Sequence, residues 1–332
     1  MQTEFDVNIL EPASKAFIQA VRSMKGDNGK KDFDKEAVDY MINAPLSKNL
    51  CRPAVTIEHI QIPLRQEEGD GHMINVDVYR PQEAKGILSA FVFLHGGGWT
   101  LPVQNGHIYL AEKISAEANC AVLLVHYTCG LTVPHSKALD ECYSVVAYAT
   151  STEGAKKLFI NPANVAIGGD SAGGNMAACI ALLAKEKKPL GNPLKLQVLY
   201  YPNTTDSIKT SKSYQEYGYG NILNIADVEN TFKLHFTEED KNNPYVFPLK
   251  ATTEQISGIA PALLITCEAD VLRDEGELYG RKLLEAGVPV NVVRICGVIH
   301  TFLSLAPLYS EATENVLDMT TGALRRAFSK KN

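Results

Sequence analysis

Several things are scarce in this chain of 332 residues. Positive charge is outnumbered, with 32 lysines and arginines against 38 aspartates and glutamates for a formal net charge of −6; the isoelectric point is near 5.8. No Lys/Arg stripe offsets that balance, and gripping a phosphate backbone requires a basic face, so nucleic acid is excluded as a partner. No window reaches the ~18 uninterrupted apolar residues of a membrane span. The opening MQTEFDVNILEPASKAF has no basic stretch leading into an apolar run, so the expectation is a soluble, cytoplasmic protein. The 7 cysteines are odd in number and form no C-x-x-C pair. Several sit inside apolar patterns, so buried free thiols are expected in place of disulfides or a zinc site. The phosphate-cradling patterns G-x-x-x-x-G-K-[ST] and G-x-G-x-x-G are absent as well, as are internal repeats and low-complexity tracts.

What is present reads as a globular protein, with 45% apolar and 21% charged residues. The length suits one large α/β domain with an elaboration. The stretches VTIEHIQIPL and MINVDVYRP alternate with period two and predict an antiparallel opening pair. After them LSAFVFLHG, AVLLVHY, NVAIGGDS, LQVLYYP, ALLITCEAD and VNVVRIC are compact apolar runs, as strands buried on both faces should be. Helical patterns lie between them, at roughly 106–118, 137–150, 172–186, 275–287 and 311–329. The alternation predicts a mostly parallel eight-stranded sheet flanked by helices, in the α/β class. Two segments fall outside it: residues 1–50, helical and without a strand-like run, and residues 203–250, an aromatic and polar insert too long for an ordinary connection. Both are expected to join as one helical cap, leaving 51–202 and 251–332 as the two parts of the core.

Chemistry concentrates in four places. In AIGGDSAGGN, residues 169–173 form G-x-S-x-G where an apolar strand gives way to a helix, a setting that holds Ser171 outward on a tight turn. A glycine-rich turn whose serine only caps a helix is the plainer reading. A serine hydroxyl needs a base within reach and a third group to orient that base. His300, after the last strand run, and Asp270, at the end of ALLITCEAD, can both stand at the same sheet edge. Asp274, four residues on, has a sufficient role at a helix start. The fourth place is HGGGW, where Gly97 and Gly98 are free to turn backbone amides inward. With the amide of Ala172 they would meet the negative oxygen that develops in acyl transfer.

The set HGGGW, GDSAGGN, EADVLRDEG and GVIHTF, in that order, resembles the hormone-sensitive-lipase-like carboxylesterases of the α/β-hydrolase superfamily, from about residue 55 onward. The resemblance implies an α/β-hydrolase fold with a helical cap, Ser171 as nucleophile, His300 as base and Asp270 as its partner. It also implies an oxyanion hole at Gly97, Gly98 and Ala172, a small-molecule ester or lactone as substrate, and no metal or organic cofactor. The chain departs from the family after Tyr127, where TCGLTVPHSKA replaces a Pro-Glu corner and predicts a looser, neutral loop. Thr301 also follows the histidine where Asp or Gly is common. Trp99, Tyr214, Tyr217 and Phe302 are the candidate substrate-binding residues, and Tyr219, Phe232 and Phe236 are further candidates for the cap lining, with cap core as the alternative use of the insert's aromatics. Two other functions remain open: an acyl transferase or lactone-forming enzyme with the same triad, and a small-ligand receptor. The oligomeric state stays open, a homodimer included.

Overall fold

The structure is a computed structural model in which residues 4–23, 44–46, 50–65, 71–186, 190–206 and 211–330 are described. The cap expected from residues 1–50 and 203–250 falls partly outside them, at 1–3, 24–43, 47–49 and 207–210. Eight strands form one sheet: β1 (Val55–Pro63), β2 (Met73–Pro81), β3 (Leu88–Leu94), β4 (Ala121–His126), β5 (Ile160–Asp170), β6 (Gln197–Tyr200), β7 (Ala262–Ala269) and β8 (Val290–Ile299). Their spatial order is β1-β2-β4-β3-β5-β6-β7-β8. β2 runs antiparallel to both neighbours, and from β4 to β8 every pairing is parallel.

Parallel strands need crossovers, and helices supply them. They are α2 (Asn105–Ala118), α3 (His135–Thr150) with the short α4 (Thr152–Lys157), α5 (Ala172–Glu186) and α9 (Arg273–Glu285); α10 (Glu311–Ser329) follows the last strand. Side chains alternate across each strand. Val92 and Leu94 of β3 join one buried cluster with Leu123 and Val125 of β4. Phe91 and Phe93 join another on the opposite face, with Val122 and Leu124. All eight of these side chains are fully buried, which explains why their sequences are continuous apolar runs. β1, at the open edge, buries Ile62 alone among its residues.

The remaining described helices lie outside that alternation. α1 (Pro12–Ser23) precedes the sheet, and the insert between β6 and β7 carries α6 (Lys212–Tyr217), α7 (Ile225–His235) and the one-turn α8 (Thr253–Ile256). α7 opens on an Asn224/Asp227 capping box. The two segments touch: Arg22 Nε donates to Gly220 O at 3.1 Å, and Phe5 meets Tyr217 edge-to-face at 5.4 Å. Four cysteines, Cys120, Cys142, Cys179 and Cys267, are buried thiols. No described helix is long and apolar enough to cross a membrane.

Candidate active site

The ends of β3, β5, β7 and β8 converge at the C-terminal edge of the sheet, where open α/β folds bind their ligands. Between the last residue of β5 and the first of α5 stands Ser171 alone, with φ 53°. The left-handed region is unfavourable for a serine and persists only where its surroundings enforce it. Here the Ser171 N–H donates to Tyr200 O at 2.9 Å, and its carbonyl accepts from Asn175 N at 2.9 Å. The helix behind it must approach β3 closely: a Cβ on Gly173 would lie 1.9 Å from Leu94 O.

Ser171 Oγ is 2.8 Å from His300 Nε2, and His300 Nδ1 is 2.7 Å from Asp270 Oδ2. A carboxylate only accepts, so Nδ1 carries the proton and Nε2 offers its lone pair to the serine hydroxyl. The second oxygen of Asp270 accepts from Leu272 N at 2.9 Å, and the Tyr201 ring backs the imidazole at 4.9 Å. Asp270 is fully buried and His300 is 3% exposed. Asp274 points elsewhere, accepting from Ser213 N at 2.8 Å and Arg273 Nε at 2.9 Å.

Across the cavity the glycine loop turns through three consecutive left-handed residues, Gly97 (φ 118°), Gly98 (φ 59°) and Trp99 (φ 57°). Its start is clamped by groups the sequence did not single out. Gly96 N donates to Asp170 Oδ1 at 2.7 Å, and His95 Nδ1 donates to Gly96 O at 2.7 Å. His95 is stacked 4.1 Å from Tyr127, whose hydroxyl donates to His95 O at 2.8 Å. Burial, followed by repulsion from His107, depresses the His95 imidazole to about 3, so it is neutral. Burial alone would raise the Asp170 carboxyl; His107 and the Gly96 amide outweigh it and hold the group below its usual value. His107 lies 3.1 Å from Asp170 through Nε2, and its Nδ1 accepts from Gln104 N at 3.0 Å.

A cavity of about 260 Å³ lies between these groups, lined by Gly97, Gly98, Ser171, Ala172 and His300 on the sheet side. As the first residue of α5, Ala172 presents one of the amides that an α-helix leaves without an internal partner. Ile222, Leu223, Val228, Thr231 and Phe232 of the insert face them, with Leu272, Thr301 and Leu305 at the sides. Of the four residues expected to bind substrate, Trp99 is on the lining and the other three are corrected to packing roles. Tyr214 (3% exposed), Tyr217 (7%) and Phe302 (0%) belong to the buried cluster behind the site. Tyr217 lies between Phe5 and the Arg273 guanidinium, and Phe302 packs on Tyr201. The insert's phenylalanines divide, Phe232 lining the cavity and Phe236 packing on Trp99, His135 and Phe247.

Two further findings were not legible in the sequence. Asn203, on the lining, donates through Nδ2 to Glu275 Oε1 at 3.0 Å, and Thr204 N donates to the same oxygen at 2.6 Å. Burial pushes the Glu275 carboxyl up to about 8. The loop after Tyr127, expected to be loose, is anchored: Thr128 N and Oγ1 both donate to the buried Glu141 at 2.6 and 2.7 Å, and Gly130 N donates to Trp99 O at 3.0 Å.

A serine on a strained strand-to-helix turn, followed in the chain by a carboxylate and a histidine at the ends of neighbouring parallel strands, defines an α/β hydrolase. Residues 91–304 match the family described as alpha/beta hydrolase fold. The chain belongs to that family, in its hormone-sensitive-lipase-like, carboxylesterase-type branch. It is 31% identical over 307 residues to the carboxylic ester hydrolase LipN of Mycobacterium tuberculosis, covering 91% of this chain and 79% of that one. To the ethyl acetate hydrolase of Pseudomonas putida it is 32% identical over 260 residues, 77% of this chain and 80% of that one. The crystal structure of a thermostable esterase from Pseudomonas putida superposes with a TM-score of 0.85 at 31% identity, over 97% of this chain and 98% of that one.

Proposed function

We propose that the protein is a serine carboxylic-ester hydrolase that works through an acyl-enzyme on small to medium, partly apolar esters. The observation that carries this reading is the unbroken relay from Ser171 Oγ through the His300 ring to Asp270, at 2.8 and 2.7 Å, opening onto a cavity with a largely apolar lining. Ser171 Oγ attacks the ester carbonyl while His300 Nε2 takes its proton. The carbonyl oxygen becomes negative and meets the amides of Gly97, Gly98 and Ala172; one such donor is worth about 3 to 4 kcal/mol in the transition state. The alcohol leaves with the proton returned by Nε2. Water, deprotonated by the same nitrogen, then attacks the acyl-serine, and the acid departs as Ser171 regains its hydrogen. Asp270 stays ionised throughout and stabilises the transient imidazolium. Every proton is carried by His300, so the cycle calls for no metal or organic cofactor.

In this reading residues 1–50 and 203–250 form the cap, described at 4–23, 44–46, 50, 203–206 and 211–250, and the apolar side chains of the insert select the acyl or alcohol group by size. Purified protein assayed on p-nitrophenyl esters of increasing acyl length tests the activity, and a fluorophosphonate tests the nucleophile. Hydrolysis that Ser171→Ala abolishes, with label on Ser171 alone, is the expected result. Wild-type turnover in the variant, or label on another serine, overturns the assignment.

A further inference from the structure

The last residue of α7, His235, is 3% exposed and stands between two loops that belong to the sheet side of the site. Its Nδ1 is 2.7 Å from Val133 O, and its Nε2 is 2.9 Å from Thr100 Oγ1. A carbonyl oxygen only accepts, so Nδ1 carries the hydrogen; in the neutral ring Nε2 is then the acceptor and the Thr100 hydroxyl donates to it. Thr100 immediately follows the three left-handed residues of the glycine loop. Its hydroxyl is also within 3.2 Å of Gly98 O, but it has one hydrogen to give and the imidazole is the nearer acceptor.

We propose that His235, a residue of the insert, is a positioning residue for the glycine loop, holding the Gly97 and Gly98 amides where the oxyanion forms. The inference rests on the esterase reading above and deepens it. Two glycines tolerate a left-handed backbone at little cost, but Trp99 at φ 57° does not. Something outside the loop must enforce that conformation. Four contacts do so: Gly130 N on Trp99 O at 3.0 Å, and the indole against His135 at 5.4 Å, Phe236 at 5.0 Å and the imidazole of His235 at 5.9 Å. Of these partners, His235 alone also bonds the loop's next residue and the segment that carries Gly130. It thereby ties insert, glycine loop and residues 128–134 at one point.

The kinetic signature follows from where the amides act. Their target is the oxygen after it has become negative, so a small displacement weakens the transition state and leaves ground-state binding nearly unchanged. Thr100→Val keeps the shape of the side chain and deletes the hydroxyl. With p-nitrophenyl butyrate as substrate, kcat should fall about 3- to 10-fold, the worth of one hydrogen bond, with KM within about 2-fold. The inhibition constant of an alkyl trifluoromethyl ketone, which forms a tetrahedral oxyanion on the serine, should rise by the same factor. His235→Ala should show the same split, and Thr100→Val added to it should cost nothing further, because the two residues share one link. A residue that merely packs the end of α7 would lower Tm without separating kcat from KM or moving the inhibitor. If His235→Ala does not fold, Thr100→Val decides alone. A functioning wild type in which Thr100→Val leaves kcat and inhibitor affinity unchanged overturns this inference only. A wild type that neither hydrolyses esters nor takes up a fluorophosphonate overturns the esterase reading and the inference with it.

Discussion

The floor and the roof of the cavity are built in different ways. On the floor, Ser171, His300 and Asp270 stand at strand ends, and each is held by at least two directed hydrogen bonds. The roof, formed by Ile222, Leu223, Val228, Thr231 and Phe232, presents mainly aliphatic and aromatic groups, with the Thr231 side chain the one polar member, and meets the cavity mostly through area. Directed bonds lose their strength within tenths of an ångström, whereas burial is non-directional and contributes roughly 25 cal/mol per Å². On the proposed mechanism the floor carries the reaction and tolerates almost no change, while the roof sets which molecules enter and can be rebuilt. Substitutions that break one side and spare the other test that division.

The largest effect is expected on the floor. Ser171→Ala should lower kcat by roughly four to six orders of magnitude and leave the circular-dichroism spectrum of the fold in place; residual turnover within a hundredfold of wild type would contradict it. Next comes the contrast between two neighbouring carboxylates. Asp270→Asn should reduce kcat by about 10⁴, because the amide no longer fixes the histidine's proton on Nδ1. Asp274→Asn breaks bonds to Ser213 and Arg273 instead and should cost about 1 kcal/mol in urea unfolding with kcat nearly intact. The opposite ranking would place the acid one turn too early.

On the roof, Phe232→Ala should raise kcat/KM for the longest acyl chains relative to the shortest by about 10-fold, the scale of one methylene in a fitted pocket. Turnover of short esters should stay near wild type, and an unchanged chain-length profile would remove Phe232 from substrate selection. The smallest effect concerns pH. Glu275 has its carboxyl raised from 4.5 to about 8 in the folded protein, so between those values the unfolded chain releases a proton that the folded chain keeps. Folded protein then binds more protons, and its stability falls as pH rises from 4.5 to 8. Glu275→Gln removes that slope, so the Tm advantage of the variant should grow across this interval by a few degrees; parallel curves for the two proteins would refute it.

The same division explains what could be read from the sequence. All eight runs proved to be strands, β2 with the bounds its alternation predicted, but burial on both faces holds for the central strands only. The edge strand β1 buries Ile62 alone, and β8 leaves residues 290–296 exposed or half-buried, because an edge strand is covered less than a central one. β8 continues past the apparent end of its run at Cys296 because a register shift, with Gly297 at φ 76°, carries it on to Ile299. Ser171, Asp270 and His300 were legible because each lies where an apolar run stops. The roof was less so. Aromatic content does not say which way a ring faces, and Tyr214, Tyr217 and Phe302 turned into the packed interior. A signal did exist in the Asn224 cap followed by Ile225, Val228 and Phe232, whose spacing places an apolar stripe on one side of α7. The buried ties made by Asp170, His107, Glu275 and His235 carry no such period, since each depends on a partner distant in the chain.

One consequence of the sheet's order concerns time. His300 is delivered by β8, one of the two edge strands, which among the described residues pairs with β7, and its partner Ser171 lies 129 positions earlier. Closing so long a loop adds entropy cost before any contact rewards it. In a refolding experiment, ellipticity and core fluorescence can recover as the central strands assemble, but on the proposed mechanism turnover waits until β8 has docked, so regained activity would clock the closing of that edge of the sheet.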